Sequence, residues 1–169
     1  MDKPAPPLQG LLVIEHGERL GAAVCGTILA HLGAEVVLLE PSQPSAQHKW
    51  ANRTTTALGK RSLLADDSNA VKALCERADI LLTSSDIEPL PITASPGQIH
   101  CDVTAFGVHF QGGPRTGQAC SDTLIQALAG LADTTGDANA PPSIIGLPFC
   151  EVSAGVYAAA ADRKSTRLN

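Results

Sequence analysis

Glu151 is the side chain whose type and setting could do covalent chemistry. It follows a Pro-Phe-Cys tripeptide and stands just before an apolar, alanine-rich stretch that predicts a helix over residues 152–161. A carboxylate can attack an acyl thioester and form a covalent intermediate. It can equally cap a helix, because the positive end of the helix dipole favours an anion. Taken alone, the residue fits the capping role better.

Lys60 and Arg61 are a second candidate site. They follow Gly59 at the end of a polar loop over residues 41–60, and two cations beside a glycine could hold a phosphate group. The alternative is a pair of solvated charges.

A dinucleotide site is a third interpretation. Gly17 and Gly21 lie near the first predicted strand-to-helix turn, and Glu40 stands where a ribose-binding carboxylate would sit. The turn lacks the central glycines of GxGxxG, so its backbone cannot approach a pyrophosphate closely. An ordinary turn fits better, and an NAD-dependent oxidoreductase is kept only as a minor hypothesis.

Metal and serine-hydrolase chemistry have little support. The five cysteines form no CxxC pair, the five histidines form no HxxxH pair, and no GxSxG elbow occurs. We therefore predict no metal site, and reduced, mostly buried thiols.

The elements that must position these side chains alternate along the chain. Residues 11–15 and 35–40 are apolar runs typical of buried strands, and between them the spacing predicts a helix over 20–32 that ends at Gly33. Further strands are predicted over 79–82 and 98–103. Further helices are predicted over 68–77, with Ser68 as the N-cap, over 122–131 and over 152–161. The pattern indicates an α/β fold with a Rossmann-like, doubly wound parallel sheet.

Composition narrows the function classes. The chain has 169 residues, a formal net charge of -5, 44% hydrophobic and 17% charged side chains. This mild acidity offers no electrostatic footprint for nucleic acid or an anionic membrane, and the longest apolar runs fall far short of the ~20 residues that span a bilayer. We expect a cytoplasmic, globular protein whose partners include neither nucleic acid nor membrane.

Several motifs resemble those of CoA-transferase family III, the CaiB/BaiF group, in the same order and spacing. They are PLQGLLVIE at 7–15, CGTILAHLGAEVVLLE at 25–40, GKRSL at 59–63, ADILL at 78–82, and the TAFG, GPR, DTLIQALAG and TG segments between 104 and 136. The resemblance covers about residues 1–161, which it identifies as the N-terminal part of a large domain.

The resemblance implies a Rossmann-like domain that holds CoA, with acyl-CoA and a carboxylic acid as substrates and no prosthetic group. It also implies an interlocked homodimer. The family nucleophile is an aspartate in a D-x-x-x-G motif, which forms an acyl anhydride and then an enzyme-CoA thioester. Glu151 and Gly155 match that motif, with Glu in place of Asp. Because displacements of ~1 Å can cost ~10²-fold in rate, a non-catalytic domain for binding or dimer scaffolding is the alternative.

The resemblance also implies CoA contacts. Lys60 and Arg61 would lie near the CoA phosphates, and the backbone around Ala65, Asp66 and Ser84 would line its adenine end.

Three positions depart from the family pattern. Residues 83–85 read Thr-Ser-Ser where the family has Glu-Asn-Phe, and Pro41 replaces a basic residue. Ser121 occupies the position of the histidine that racemases of this family use, so racemase chemistry is disfavoured.

The last residues, 162–169, resemble nothing in the family. The sequence predicts that the alanine-rich helix breaks at Asp162 and that a basic, polar tail follows, foreign to the family, on a truncated gene. A genuine but divergent C-terminus is the alternative.

Overall fold

Strands and helices alternate along the part of the chain that the computed structural model describes, residues 4–42, 56–84, 95–107, 115, 118 and 120–165. In chain order they are β1 (Leu12–His16), α1 (Leu20–His31), β2 (Glu35–Glu40), β3 (Arg61–Leu64), α2 (Ser68–Glu76), β4 (Ile80–Thr83), β5 (Ile99–Asp102), α3 (Asp122–Leu128), α4 (Leu131–Thr134) and α5 (Phe149–Ser165). Most of the loop predicted over 41–60 lies outside these residues. Within them, none of the helices is long and apolar enough to cross a membrane.

All five strands form one parallel sheet in the order β3-β2-β1-β4-β5. The apolar runs explain this arrangement, because β1, β2 and β4 are buried on both faces between helical layers. The chain moves outward from β1 to β3 and then returns to the other side of β1 with β4. This reversal creates a crevice at the carboxyl ends of β1 and β4, which is where ligands bind in open α/β sheets. The predicted doubly wound fold is confirmed.

Two predicted helices differ in detail. The cap of α2 is Asp67 rather than Ser68, since the Asp67 carboxylate accepts the backbone N–H groups of Asn69 at 2.9 Å and Ala70 at 3.2 Å. The helix predicted over 122–131 is divided into α3 and α4 at Gly130, whose φ of 78° ends the first helix.

The predicted break at Asp162 is wrong, because α5 continues to Ser165. Asp162 is only 3% exposed, and the Cys25 thiol of α1 donates to its Oδ2 at 3.6 Å. The polar composition after residue 161 suggested an end to the helix, but this carboxylate is part of the contact between α5 and α1. Residues 166–169 lie outside the described part of the chain, so a foreign tail stays a prediction.

Asp162 should make folding stability depend on pH. Burial raises its carboxyl pKa above the ordinary 3.8, although hydrogen bonds from Cys25 and Cys101 lower it in part. The folded state therefore holds a proton that the unfolded state has released. The free energy of unfolding therefore falls as pH rises from the pKa of Asp162 in the unfolded state to its pKa in the folded state, by at most ~1.4 kcal/mol per pH unit.

The variant Asp162→Asn removes this titration. The melting temperature of the variant minus that of the wild type should become more positive as pH rises from the ordinary carboxyl pKa of 3.8 toward neutrality. Thermal melts of both proteins across that range measure it. A difference that stays constant with pH would contradict the assignment.

Two glycines let α1 and α5 pack closely. A Cβ at Gly155 would overlap the Gly21 carbonyl oxygen and lie 2.8 Å from Val24 Cβ, and a Cβ at Gly21 would lie 3.0 Å from the Glu151 carbonyl oxygen. Real Cβ atoms do not approach other atoms that closely, so larger residues here would push the helices apart. This contact brings the first turn of α5 against the first turn of α1.

Candidate functional site

Glu151 lies in the first turn of α5, and its carboxylate reaches the start of α1. Oε2 accepts the backbone N–H of Leu20 at 3.0 Å, and Oε1 lies 3.3 Å from Nη1 of Arg19. Arg19 is the N-cap residue of α1 and its side chain makes no cap hydrogen bond. The predicted capping role therefore falls on a different helix, since Glu151 binds the N-terminus of α1 rather than its own.

Arg19 is held rigidly beside this carboxylate. Its backbone N–H donates to Ser84 Oγ at 3.2 Å, and its Nη2 donates to the Cys120 carbonyl at 2.9 Å. The side chain is only 9% exposed. A guanidinium fixed at both ends keeps its charge at one place, next to Oε1 of Glu151.

Asp122 positions the backbone of Glu151. At the start of α3, its Oδ1 accepts the Glu151 N–H at 2.7 Å, while its Oδ2 accepts Nε2 of Gln126 at 2.6 Å. The buried Gln126 amide in turn bonds Ile145 N–H at 2.8 Å and the Leu147 carbonyl at 3.1 Å. These bonds tie the segment before α5 to α3, so the entry into α5 and its carboxylate are set by a polar network.

A cavity of ≈ 190 Å³ opens beside Glu151, at the carboxyl edge of the sheet. It is lined by both members of the ion pair, Arg19 and Glu151, by Asp122, and by mostly small or apolar residues: Gly21, Val103, Thr104, Ala105, Ile125, Cys150 and Ala154. The cavity is large enough for a reacting group to meet the Glu151 carboxylate.

Cys150 is the competing nucleophile in this cavity. Burial and the nearby Asp122 carboxylate raise the pKa of its thiol above the ordinary 9.0. The thiol is therefore protonated at neutral pH, and only the thiolate is strongly nucleophilic. Glu151 is the stronger candidate.

Lys60 does not lie at this cavity. Its ammonium donates to Glu15 Oε2 at 2.6 Å and to the Ala23 carbonyl at 2.8 Å, and its side chain is 2% exposed. Burial raises the pKa of Glu15, partly offset by Lys60. The structure gives Lys60 a buried ion pair with Glu15 of β1, so its charge is not solvated as the alternative interpretation expected. A contact between Lys60 and a CoA phosphate stays a prediction.

Arg61 is the exposed member of the predicted basic pair. Its Nη1 lies 2.7 Å from Oε1 of Glu35, and the two side chains are 76% and 51% exposed. Arg61 opens β3 and Glu35 opens β2, so this pair belongs to the amino edge of the sheet. The structure does not bring Arg61 to Glu151, which lies at the opposite edge.

The other predicted CoA contacts follow the carboxyl ends of strands. Ala65 and Asp66 come directly after β3, where Asp66 accepts a hydrogen bond from Ser42. Ser84 follows β4 but is 2% exposed, and its hydroxyl supports the turn before α1. Ser84 therefore presents little surface to a ligand.

The N-terminus of α1 also bears on the dinucleotide hypothesis. In dinucleotide folds the pyrophosphate binds at this helix end. Here the Leu20 N–H is engaged by Glu151, and a Cβ at Gly17 would meet the Ser84 side chain. The turn is therefore filled by protein groups, which disfavours NAD.

Arg19 and Gln126 belong to the candidate site by their contacts, and the sequence predictions missed both. One feature of the sequence could have identified Arg19 as part of the site. It lies two residues after Gly17, just beyond the end of β1, where ligands bind in this fold. For Gln126 the only such feature was its spacing of four residues from Asp122 on one helix, because its other partners come from a segment 19 and 21 residues away.

Comparison with known proteins agrees with this geometry. Residues 8–162 match the model of CoA-transferase family III. The chain is 28% identical to the succinate–glutarate CoA-transferase of Agrobacterium fabrum, over 92% of this chain and 46% of that protein. It is also 28% identical to the succinyl-CoA–D-citramalate CoA-transferase of Chloroflexus aurantiacus, over 93% of this chain and 44% of that protein.

A solved structure shares the fold. A CaiB/BaiF family protein from Brucella suis superposes with a TM-score of 0.79 at 25% identity, covering 98% of this chain and 50% of that one. The chain spans about half the length of the curated relatives it matches. With the family match extending over residues 8–162, the chain belongs to CoA-transferase family III.

Proposed function

We propose that this chain carries the nucleophile of an acyl-CoA:carboxylate CoA-transferase, and that the nucleophile is Glu151. The observation that carries the proposal is the placement of its carboxylate. It lies in the wall of a cavity at the ligand-binding edge of the sheet, bound by the Leu20 N–H and by Arg19. The succinate–glutarate and succinyl-CoA–D-citramalate CoA-transferases named above support this reaction class.

The reaction proceeds through two kinds of covalent intermediate. A Glu151 oxygen attacks the thioester carbonyl carbon, the C–S bond breaks, and CoA departs as a thiolate. The acyl group stays on Glu151 as a mixed anhydride. The thiolate then attacks the Glu151 carbonyl carbon and releases the donor acid, which leaves a glutamyl-CoA thioester. The acceptor carboxylate attacks the acyl carbon of this thioester, the C–S bond breaks, and a second mixed anhydride forms with release of CoA thiolate. The thiolate finally attacks the acceptor's acyl carbon. This last step gives the new acyl-CoA and restores the Glu151 carboxylate.

The protein contributes position and charge to these steps. The Leu20 N–H and the Arg19 guanidinium orient both carboxylate oxygens, and a fixed geometry for two reacting groups lowers a barrier substantially. Each donor faces a different oxygen, so whichever oxygen remains as the Glu151 carbonyl has one donor beside it when that carbonyl is attacked and negative charge develops there.

For CoA itself, we propose that the backbone around Ala65 and Asp66 lines the adenine end, at the same sheet edge as Glu151. Of the two cations for which the family resemblance implies a phosphate contact, Arg61 is the exposed one, since the Lys60 ammonium is engaged by Glu15.

The proposal includes a cytoplasmic homodimer, interlocked as the family resemblance implies. All five cysteines are free, as is usual in a reducing compartment. Large apolar side chains on α3, on α5 and between them are exposed, as at a subunit contact: Leu124, Leu128, Ile144, Leu147, Phe149, Val152, Val156 and Tyr157. Light scattering on the purified protein measures the oligomeric state.

A second candidate function has its own supporting observation. Because both Glu151 oxygens are engaged by the start of α1, the carboxylate also stabilises that helix end, which a non-catalytic binding or scaffolding domain would need as well.

Chemical trapping separates the two functions. The purified protein is incubated with an acyl-CoA and then with hydroxylamine, and peptides are analysed by mass spectrometry. A transferase should give a hydroxamate on Glu151 and should exchange labelled CoA between an acyl-CoA and free CoA. Modification of Glu76, an exposed carboxylate on α2, serves as the background control. Without an adduct on Glu151 and without exchange, the scaffolding function stands.

A further inference from the structure

The cavity beside Glu151 has a single cationic side chain among the described residues that line it, and that side chain is Arg19. Its Nη1 faces the Glu151 carboxylate and its Nη2 is held by the Cys120 carbonyl. At 9% exposure the guanidinium is largely removed from water, so its charge is weakly screened. Such a cation needs an anionic partner in the cavity.

The CoA-transfer reaction converts the Glu151 carboxylate, which is the anionic partner of Arg19, into an uncharged group and brings another anion into the cavity. In the anhydride and in the thioester, Glu151 is an uncharged acyl group. The negative charge then resides on a species in the cavity, either CoA thiolate or a carboxylate leaving or entering. While an acid or the thiolate is bound, the total charge beside Arg19 is unchanged, although the atom that carries it changes. Only in the thioester, between release of one acid and entry of the next, does Glu151 leave this guanidinium without its carboxylate.

We propose that Arg19 binds the carboxylate of the acid substrate while Glu151 is held as the glutamyl-CoA thioester, so that it is the acid-recognition residue of this enzyme. The inference rests on the proposed function and extends it. Guanidinium groups match the planar fork of a carboxylate. The carboxylate of the incoming acid takes the place of the Glu151 carboxylate at Nη1 of Arg19. The acid is then held next to the Glu151 carbonyl carbon, which it must attack.

Asp122 makes a cation necessary at this position. Its carboxylate also lines the cavity, with Oδ1 and Oδ2 directed to the Glu151 N–H and to Gln126. An acid entering a cavity that already holds one carboxylate is repelled unless a positive charge compensates it. The rest of the lining includes Val103, Ile125 and Ala154, which suit the carbon chain of an aliphatic acid.

Steady-state kinetics on the purified protein test the role of Arg19. Arg19→Gln should raise KM for the acid by roughly 10- to 100-fold, the loss expected when a charge-assisted hydrogen bond is removed from a carboxylate, while KM for the acyl-CoA changes far less. Arg19→Lys keeps the charge without the fork, and its KM for the acid should fall between those of wild type and Arg19→Gln. Adding methylguanidine to Arg19→Ala should lower KM for the acid. Arg77→Gln, an exposed arginine at the end of α2, should change none of these constants.

The outcomes are distinguishable. If Arg19→Gln leaves KM for the acid unchanged, or raises both KM values equally, Arg19 does not bind the acid and only orients Glu151. If wild type forms no Glu151 adduct with acyl-CoA, the proposed function itself fails and this inference fails with it. An adduct in wild type together with an unchanged acid KM in the variants overturns the inference on Arg19 alone. Should Arg19→Gln not fold by circular dichroism, the ratio of the two KM values in Arg19→Lys decides the question.

Discussion

Replacing Glu151 by Gln should lower kcat for CoA transfer by on the order of 10³-fold or more, because the amide cannot form the anhydride on which the proposed cycle depends. An amide keeps the length of the side chain, so it can still accept the Leu20 N–H through its oxygen. The fold should therefore survive while the chemistry does not. Exchange of labelled CoA between an acyl-CoA and free CoA measures the rate.

Glu151→Asp makes the prediction sharper. The shorter side chain withdraws the carboxylate by roughly 1 Å from the Leu20 N–H and from Arg19, a displacement that can cost ~10²-fold in rate. We expect Asp to be worse than Glu in this chain, although Asp is the residue at this position in the family pattern. Glu76→Gln, on the exposed face of α2, should keep full activity. An Asp variant faster than wild type would mean that the site is not built around the glutamate, and full activity in the Gln variant would remove Glu151 from the chemistry.

Lys60→Met should destabilise the folded protein by ~3–5 kcal/mol, since it leaves the Glu15 carboxylate buried without its cation. Glu15 is 1% exposed, and its Oε1 has no hydrogen-bond partner within the described structure, so the Lys60 ammonium is its main compensation. Urea denaturation at neutral pH measures the free energy of unfolding. The loss should shrink as pH falls, because a protonated Glu15 needs no cation.

Arg61→Met is the matched control for this loss. It removes the neighbouring cation, whose partner Glu35 is exposed, and exposed ion pairs contribute ~1 kcal/mol or less. The double variant Glu15→Leu with Lys60→Met should recover much of the lost stability, because it leaves no buried charge. Equal losses in the two single variants would show that Lys60 is solvated in solution and free to contact a ligand.

The order and type of the elements could be predicted from the sequence because they depend on local patterns. The strand β2 was predicted at its observed bounds, since its apolar run is continuous and ends at Pro41. Helix ends were less certain, as Asp67 and Asp162 illustrate. The Asp67 cap depends on hydrogen bonds from particular backbone N–H groups of the folded helix. The buried position of Asp162 depends on hydrogen bonds from cysteine thiols on two other elements.

The candidate site was only partly predictable. The motif marked Glu151, but its partner Arg19 lies 132 residues away in the chain, so no local spacing could join them. The ion pair of Lys60 could not be predicted for the same reason. Its sequence neighbours are polar, and only the fold shows that Gly26 on α1 leaves room for the ammonium to reach Glu15.

The close contact of α1 and α5 at Gly21 and Gly155 has a consequence for protein engineering. It fixes the separation between Glu151 and the Leu20 N–H, so a mutant library that varies these glycines would yield inactive proteins even where the catalytic groups are intact. The side chains of Ile125 and Ala154 line the same cavity, whereas Val103 packs in the core against Gly21. Libraries meant to change the preferred acid should therefore vary Ile125 and Ala154 and leave the two glycines untouched.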